Sequence, residues 1–180
     1  GNAGTSTSYA GVNSGSGELE KLGAGKLTLV GNNIYTGTTT ISAGKLQLGD
    51  GGTSGMVGLT NISNSGTLAF NRRDDIVLTG ALSGTGGIEQ AGTGSLTLTA
   101  ASSYTGGTTV SAGTLIARNS TALGAGTLSL AATTTLLVGH GVSLGNAIQL
   151  DGDATIGLAP LEVEYLIVGG GGGGGSGWHG

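Results

Sequence analysis

The chain has 180 residues, of which 41 are glycine, one is proline and none is cysteine, and its formal net charge is −4. The lack of cysteine excludes disulfides and thiolate sites, and six Lys and Arg residues scattered along the chain exclude a basic stripe for nucleic acid. A mean hydropathy of +0.22 is too high for a solvated low-complexity chain, so we expect an ordered core.

An internal repeat dominates the chain after a Gly-, Ser- and Thr-rich start that is typical of a frayed strand or turn. Residues 19–50 return as residues 88–119, 69 positions later, with 15 identities in 32 aligned positions and no gap. A repeat of this kind predicts a solenoid, because one unit cannot bury its apolar face without a neighbour stacked on it.

Apolar and polar residues alternate within each copy, as in Leu27-Thr28-Leu29 and Leu46-Gln47-Leu48. Alternation with period two predicts half-buried strands, and glycine about every ten residues argues against helix. Similar short strands follow at intervals of roughly ten residues as far as Pro160. We expect a core that contains the inward leucines Leu27, Leu29, Leu46, Leu96, Leu98 and Leu115.

The stretches Gly23–Leu29, Asn33–Gly37 and Thr39–Gly49 resemble the autotransporter-associated β-strand repeat of bacterial passenger domains, and Gly92–Gly113 resembles it more closely. The resemblance covers roughly residues 12–157. It implies an all-β fold, a right-handed parallel β-helix (β-solenoid) of short strands without significant helix, on a secreted, surface-exposed protein. If each coil takes about 20–25 residues, these residues make roughly six or seven coils and a body about 30 Å long.

The C-terminal end differs from the repeats. We expect a solenoid over residues 1–160 and a strand with a polyglycine tail over residues 161–180. The strand has apolar groups on both faces, which suits burial on both sides and predicts pairing with its own solenoid or with a second copy, head to tail. The residues assigned to this assembly are Val163, Tyr165, Leu166, Ile167, Val168, Gly169, Gly172 and Gly175.

Candidates for small-ligand chemistry are few. Gly25-Lys26 and Gly44-Lys45 resemble part of a phosphate loop, but leucine follows each where Ser or Thr would hold magnesium. The glycines at 169–174 match a dinucleotide pattern, but too few residues follow for its helix. His140 and His179 have no neighbouring acidic residue or cysteine. We therefore expect no cofactor and no metal.

Four charged residues form the one charge cluster: Arg72, Arg73, Asp74 and Asp75. They could begin the active site of a β-helix polysaccharide-degrading enzyme, and Asp74 with Asp75, or Asp151 with Asp153, could supply calcium ligands; Asp is also common in turns. Tyr35 and Tyr104 occupy equivalent places in the repeat, where they could cover a corner of the coil or stack on a sugar.

The sequence favours a non-catalytic extracellular structural protein, a spacer or fibre subunit of a bacterial surface protein that self-associates. The alternatives are an adhesin that binds a host-surface or glycan ligand and, less favoured, the polysaccharide-degrading enzyme. No run approaches the roughly 18 apolar residues of a membrane helix, so we expect no direct membrane insertion by this piece. The chain begins at Gly1 without a signal peptide, and we expect it to be part of a longer protein.

Overall fold

Parallel strands and connecting turns make up the described part of the molecule. A computed structural model describes residues 4–58 and 60–161, where every strand pairing is parallel and no helix occurs. The expected all-β solenoid is therefore confirmed. The predicted assembly residues between Val163 and Gly175 lie outside the described residues, as does His179.

Seventeen short strands form three sheets that run along the solenoid. In chain order they are β1 (Thr7–Tyr9), β2 (Leu19–Lys21), β3 (Lys26–Leu29), β4 (Thr39–Ile41), β5 (Lys45–Leu48), β6 (Ile62–Asn64), β7 (Thr67–Phe70), β8 (Ile76–Leu78), β9 (Leu82–Ser83), β10 (Gly87–Gln90), β11 (Ser95–Leu98), β12 (Thr108–Val110), β13 (Thr114–Ala117), β14 (Leu128–Ala131), β15 (Thr135–Val138), β16 (Ile148–Asp151) and β17 (Thr155–Leu158). The eight-stranded sheet has the order β1-β3-β5-β7-β10-β12-β14-β16, the five-stranded sheet β17-β15-β13-β11-β8, and the four-stranded sheet β2-β4-β6-β9.

The register of the eight-stranded sheet fixes the length of each coil. Successive partners along one row are Thr7, Leu27, Leu46, Leu68, Ile88, Thr108, Leu128 and Ile148. Each coil therefore takes 19 to 22 residues, near the lower end of the expected range, with one coil of 19 just below it. Eight strands at a spacing of about 4.8 Å make a rod roughly 34 Å long.

The core is a column of aliphatic side chains inside the coils. Leu29, Leu46, Leu96, Leu98 and Leu115 are buried in it. Leu27 is half-buried, because the strand that covers it, β1, is short, exposed and the first of its sheet. Burial of a leucine side chain contributes roughly 1.5–3 kcal/mol, so this column is the main source of stability in a chain without disulfides.

The two copies of the repeat occupy different faces of the rod. In the first copy the strands alternate between the four-stranded and eight-stranded sheets, and in the second copy between the eight-stranded and five-stranded sheets. Three coils carry the chain from Leu19 through its partners to Leu82 on the same face. Ile88, the equivalent of Leu19, lies past the next corner. The spacing of 69 residues is therefore three coils plus one face.

A left-handed backbone turn recurs at the same place in the two repeats, before β5 in the first copy and before β13 in the second. Gly44 and its equivalent Gly113 have φ of 71° and 67°, and glycine adopts this conformation without a Cβ clash. The coil after β13 has a threonine in this conformation, because Thr133 has a φ of 65° in the turn before β15. Among the described residues, Thr133 is the one non-glycine residue with positive φ.

None of the described segments is a helix with the length and hydropathy needed to cross a bilayer.

Candidate functional site: repeat corners and open ends

A buried lysine closes the corner between β2 and β3. The side chain of Lys21 is 5% exposed, and its Nζ donates to Leu22 O at 2.8 Å, Gly23 O at 2.6 Å and Ala43 O at 3.0 Å. Ala43 belongs to the next coil, so the ammonium group joins two coils. Burial lowers the pKa of Lys21, while the three carbonyl oxygens accept all three ammonium protons.

In the second copy of the repeat, Gln90 donates hydrogen bonds to the equivalent corner. It is the equivalent of Lys21, is buried, and its Nε2 donates to Gly92 O at 3.0 Å and Gly94 O at 2.9 Å. Its Oε1 has no partner among the described residues. The corner thus requires a buried donor for its carbonyl groups, which either side chain supplies.

The two repeat tyrosines lie inside the coil. Tyr35 Oη is 2.7 Å from Thr39 Oγ1, and Tyr104 Oη is 2.6 Å from Thr108 Oγ1. Both rings are buried, and burial raises the pKa of Tyr104 to about 12 and that of Tyr35 above its ordinary value. A buried ring offers no face to a sugar, so these residues act in the structure as covers of the corner.

The four residues of the charge cluster differ in burial: Arg72 is buried, whereas Arg73 and Asp75 are exposed. Arg72 is 7% exposed, and its Nε and Nη2 donate to the Asp74 carboxylate at 2.9 and 2.6 Å. The same guanidinium group donates to Thr53 O and Gly55 O, which holds the loop of residues 49–55 against the rod. The hydrogen bond from Arg72 keeps the pKa of Asp74 below its ordinary value.

The remaining members of the cluster do not converge on a substrate site. The Oδ1 atom of Asp75 accepts a hydrogen bond from Ser95 N at 3.1 Å, and Arg73 is exposed. With Arg72 and Asp74 already paired to each other, the four residues form a corner of the solenoid. This arrangement lacks the open pair of acid and base that polysaccharide cleavage would use.

The other ligand candidates are Asp151, Asp153 and His140. Asp151 accepts a hydrogen bond from Gln149, and His140 is exposed. Within residues 4–58 and 60–161, no group of three or more His, Cys, Asp and Glu side chains could hold a metal ion. Gly25 and Gly44 lie against the backbone of the preceding coil, where an added Cβ would collide, so these glycines have a structural reason to be there.

Apolar residues are exposed at the ends of the described rod. At the last coil, Ile148 is 42%, Leu150 56%, Ile156 50% and Leu158 66% exposed. They stand in register with Leu128, Leu130, Leu136 and Val138 of the preceding coil, of which the first three are buried and Val138 is half-buried. Tyr9, in register with buried Leu29, is 44% exposed at the other end. These residues continue the core column and are exposed because the described coils stop there.

A shallow cavity of about 310 Å³ opens beside Lys21 near the first coil. Its walls include Thr5, Thr7, Leu22 and Leu27. All of these residues belong to the first turns of the described rod, so the cavity lies at that end of it.

Sequence reasoning missed Lys21, Gln90 and Arg72 as structural groups. One signal could have found the first pair: a long polar residue with hydrogen-bond donors precedes Gly-X-Gly at the same place in both copies of the repeat. Nothing in the sequence distinguishes Arg72 from its exposed neighbour Arg73.

Comparison with known proteins agrees with this architecture. The model of the passenger-associated-transport repeat matches residues 19–48 and 88–117, so the chain carries two such repeats. The chain is also similar to the adhesin BmaC autotransporter of Brucella suis biovar 1 (strain 1330), with 51% identity over 53 residues. That match covers 29% of this chain and 2% of the relative, so the chain corresponds to a very small part of that protein. No solved structure matches the chain.

Proposed function

We propose, from the premise that the chain carries two passenger-associated-transport repeats, that it is a non-catalytic structural segment of a bacterial surface protein. In this role it is a stiff β-solenoid spacer outside the cell that adds length between other parts of a passenger. The internal use of the buried polar groups supports the proposal, because Lys21, Gln90 and Arg72 all bind backbone carbonyls of the rod.

The last described coil supports a more specific proposal about assembly. Ile148, Leu150 and Ile156 are core residues by register and solvent-exposed by position, so a further layer of strand would bury them. In the sequence, the segment of residues 161–168 begins three positions after the end of β17 and has apolar residues at both odd and even positions, as a strand buried on both sides would. We propose that it supplies this layer by strand addition, and that rods join head to tail through it.

Truncation tests the joint. The chain without residues 161–180 is compared with the chain without residues 169–180, which keeps the apolar strand and loses the glycines. Light scattering and electron microscopy at high concentration should show end-to-end particles for the full chain and for the shorter truncation, and monomers for the longer one. If the full chain is monomeric, or if the chain without residues 161–180 assembles equally well, the proposed head-to-tail contact is wrong.

Adhesion is the second candidate, and one outer surface favours it. On the outward side of the five-stranded sheet, Val77, Thr97, Ile116 and Leu137 are neighbours in one row, and Val77 is exposed. A row of three apolar side chains and one threonine on the outside of a sheet offers contact area to a partner. The relative named as an adhesin is consistent with this use.

A glycan array and binding to cultured host cells would detect adhesion. The double variant Val77→Lys, Leu137→Lys changes only the outer surface and should abolish binding if this row is the contact. Binding by a variant that keeps the row but lacks residues 161–180 would separate adhesion from assembly. Unchanged binding by the double variant would remove the row from consideration.

A further inference from the structure

Two Asn-X-Ser/Thr sequences occur in the chain, Asn61-Ile62-Ser63 and Asn119-Ser120-Thr121. This tripeptide is the acceptor sequence for N-linked sugars in secreted proteins. The structure gives the two copies different conformations, so they can be compared within one molecule.

Asn119 lies in a turn after β13. Its Oδ1 accepts hydrogen bonds from the backbone N of Thr121 at 3.0 Å and from Thr121 Oγ1 at 3.1 Å. Ala122 N donates to Asn119 O at 3.1 Å and closes the turn. The hydroxyl group that defines the acceptor sequence is therefore bonded directly to the acceptor amide, and neither bond involves Nδ2.

The surroundings of this turn are open. Ser120 and Thr121 are exposed, and Asn119 is partly exposed. The turn is anchored from the next coil, because Ser143 N donates to Ser120 Oγ at 3.1 Å. The turn thus offers an enzyme a fixed conformation on the surface of the rod.

Asn61 has the same sequence pattern without this geometry. Its Oδ1 accepts a hydrogen bond from Ala81 N of the next coil at 3.0 Å, and Ile62 is buried in β6. In an extended strand, residues i and i+2 lie roughly 6.5–7 Å apart, so the Ser63 hydroxyl does not reach the Asn61 amide. Asn61 and Ser63 are themselves exposed, so the two sequences differ in backbone conformation and not in access: to adopt the turn that Asn119 already has, residues 61–63 would have to leave β6 and its sheet.

We propose that Asn119 is a site of N-linked glycosylation and that Asn61 is not. The donor is an activated glycosyl phosphate, either a nucleoside-diphosphate sugar or a lipid-linked pyrophosphate oligosaccharide. Nδ2 of Asn119 forms a bond to the anomeric carbon, the bond from that carbon to the phosphate oxygen breaks, and the diphosphate leaves. Nδ2 gives up one proton to a base of the transferase, and no oxidation or reduction occurs.

The first experiment uses the full chain recovered from the surface of the bacterium that makes it. Peptide mapping by mass spectrometry should find sugar on the peptide that contains Asn119 and none on the peptide that contains Asn61. A single hexose indicates a nucleotide-sugar donor, and an oligosaccharide indicates a lipid-linked donor. An unmodified Asn119 overturns the proposal.

The second experiment tests the geometry with purified folded chain, UDP-glucose and a soluble bacterial asparagine glycosyltransferase. Asn119→Gln should lose the added hexose and Asn61→Gln should keep it. Thr121→Val should slow transfer at least about tenfold, the order of one lost hydrogen bond, and Thr121→Ser should restore it. Thermal melting of each variant shows that the fold is kept. Transfer to Asn61 at the rate of Asn119 overturns the proposal.

Discussion

Lys21 and Gln90 are equivalent residues of the two repeats, and each donates hydrogen bonds to the carbonyl groups of an equivalent corner through a different functional group. An ammonium group donates to three carbonyl oxygens in the first copy, and an amide donates to two in the second. The repeat therefore specifies a buried donor at this position and not a particular residue.

An exchange experiment follows from this equivalence. Lys21→Gln and Gln90→Lys should each change the free energy of unfolding by no more than about 1 kcal/mol, because a donor remains. Lys21→Leu and Gln90→Leu should each cost about 2–4 kcal/mol, since buried carbonyl groups lose their partners. Chemical denaturation measures all four. If Lys21→Leu is as stable as Lys21→Gln, or Gln90→Leu as stable as Gln90→Lys, the corner does not need a buried hydrogen-bond donor.

The core column gives the second prediction. Leu96 is fully buried between Ile76 and Leu115, so Leu96→Asp should cost several kcal/mol, at least about 4, and unfold its own coil. Thr97→Asp is the matched control, because Thr97 lies on the outer side of the same strand and should change stability by no more than about 0.5 kcal/mol. Equal melting of the two variants would place Leu96 outside the core.

These comparisons show how far the sequence determines the fold. Alternation located the strands at Lys45–Leu48 and Ser95–Leu98, where burial has period two, because such a pattern depends on adjacent residues alone. The face occupied by each repeat could not be predicted, since it depends on the sum of coil lengths between copies. One loop of a different length at residues 49–55 would rotate the second copy to another face. The conformations of Lys21 and Arg72 escaped prediction for a related reason: some of their partners belong to other coils, namely Ala43 for Lys21 and Thr53 with Gly55 for Arg72.

The third prediction concerns alkaline pH. The pKa of Tyr104 is raised from 10.0 to about 12, so the folded state holds this proton more tightly than the unfolded state. Stability from this group is complete below pH 10 and is lost as the pH rises to about 12, with a loss of roughly 3 kcal/mol. Unfolding followed from pH 9 to about 12 should show this decline.

Tyr104→Phe is the control for that decline. It keeps the ring and removes the titrating group, so its stability should fall less steeply over the same pH range, with the remaining dependence partly from Tyr35, whose pKa is also raised. If wild type and variant follow the same curve, Tyr104 is not the group responsible.

The fourth prediction uses the left-handed corner. Thr133→Gly should stabilise the chain by about 1 kcal/mol, because glycine adopts a φ of 65° without the Cβ clash that threonine has. Gly113→Ala is the opposite case and should destabilise by more than about 1 kcal/mol, since φ is 67° and an added Cβ would collide with Gly92 O and Gly94 O. Thermal unfolding of the two variants should therefore move the melting temperature in opposite directions.

The fifth prediction concerns the loop of residues 49–55. Arg72→Met removes the donors to Thr53 O and Gly55 O and leaves Asp74 without its partner. We expect faster hydrogen exchange and proteolysis in this loop, with the strands of β11 and β13 unchanged. Arg73→Met, an exposed neighbour, is the control and should leave the loop protected. Equal protection in both variants would mean that Arg72 does not hold the loop.

The most direct test of the account measures distances between spin labels at Ser8 and Gln149, on the outer side of the first and last strands of the eight-stranded sheet. Doubly labelled chain diluted in unlabelled chain should give one distance near 34 Å, plus the label arms, from seven strand spacings. A concentrated mixture of chains labelled singly at Ser8 or at Gln149 should give a short distance, no more than about 20 Å, because head-to-tail contact places the two ends one or two strand spacings apart. That short distance should vanish when residues 161–180 are deleted. A mixture without any distance below the intramolecular one would contradict the proposed assembly.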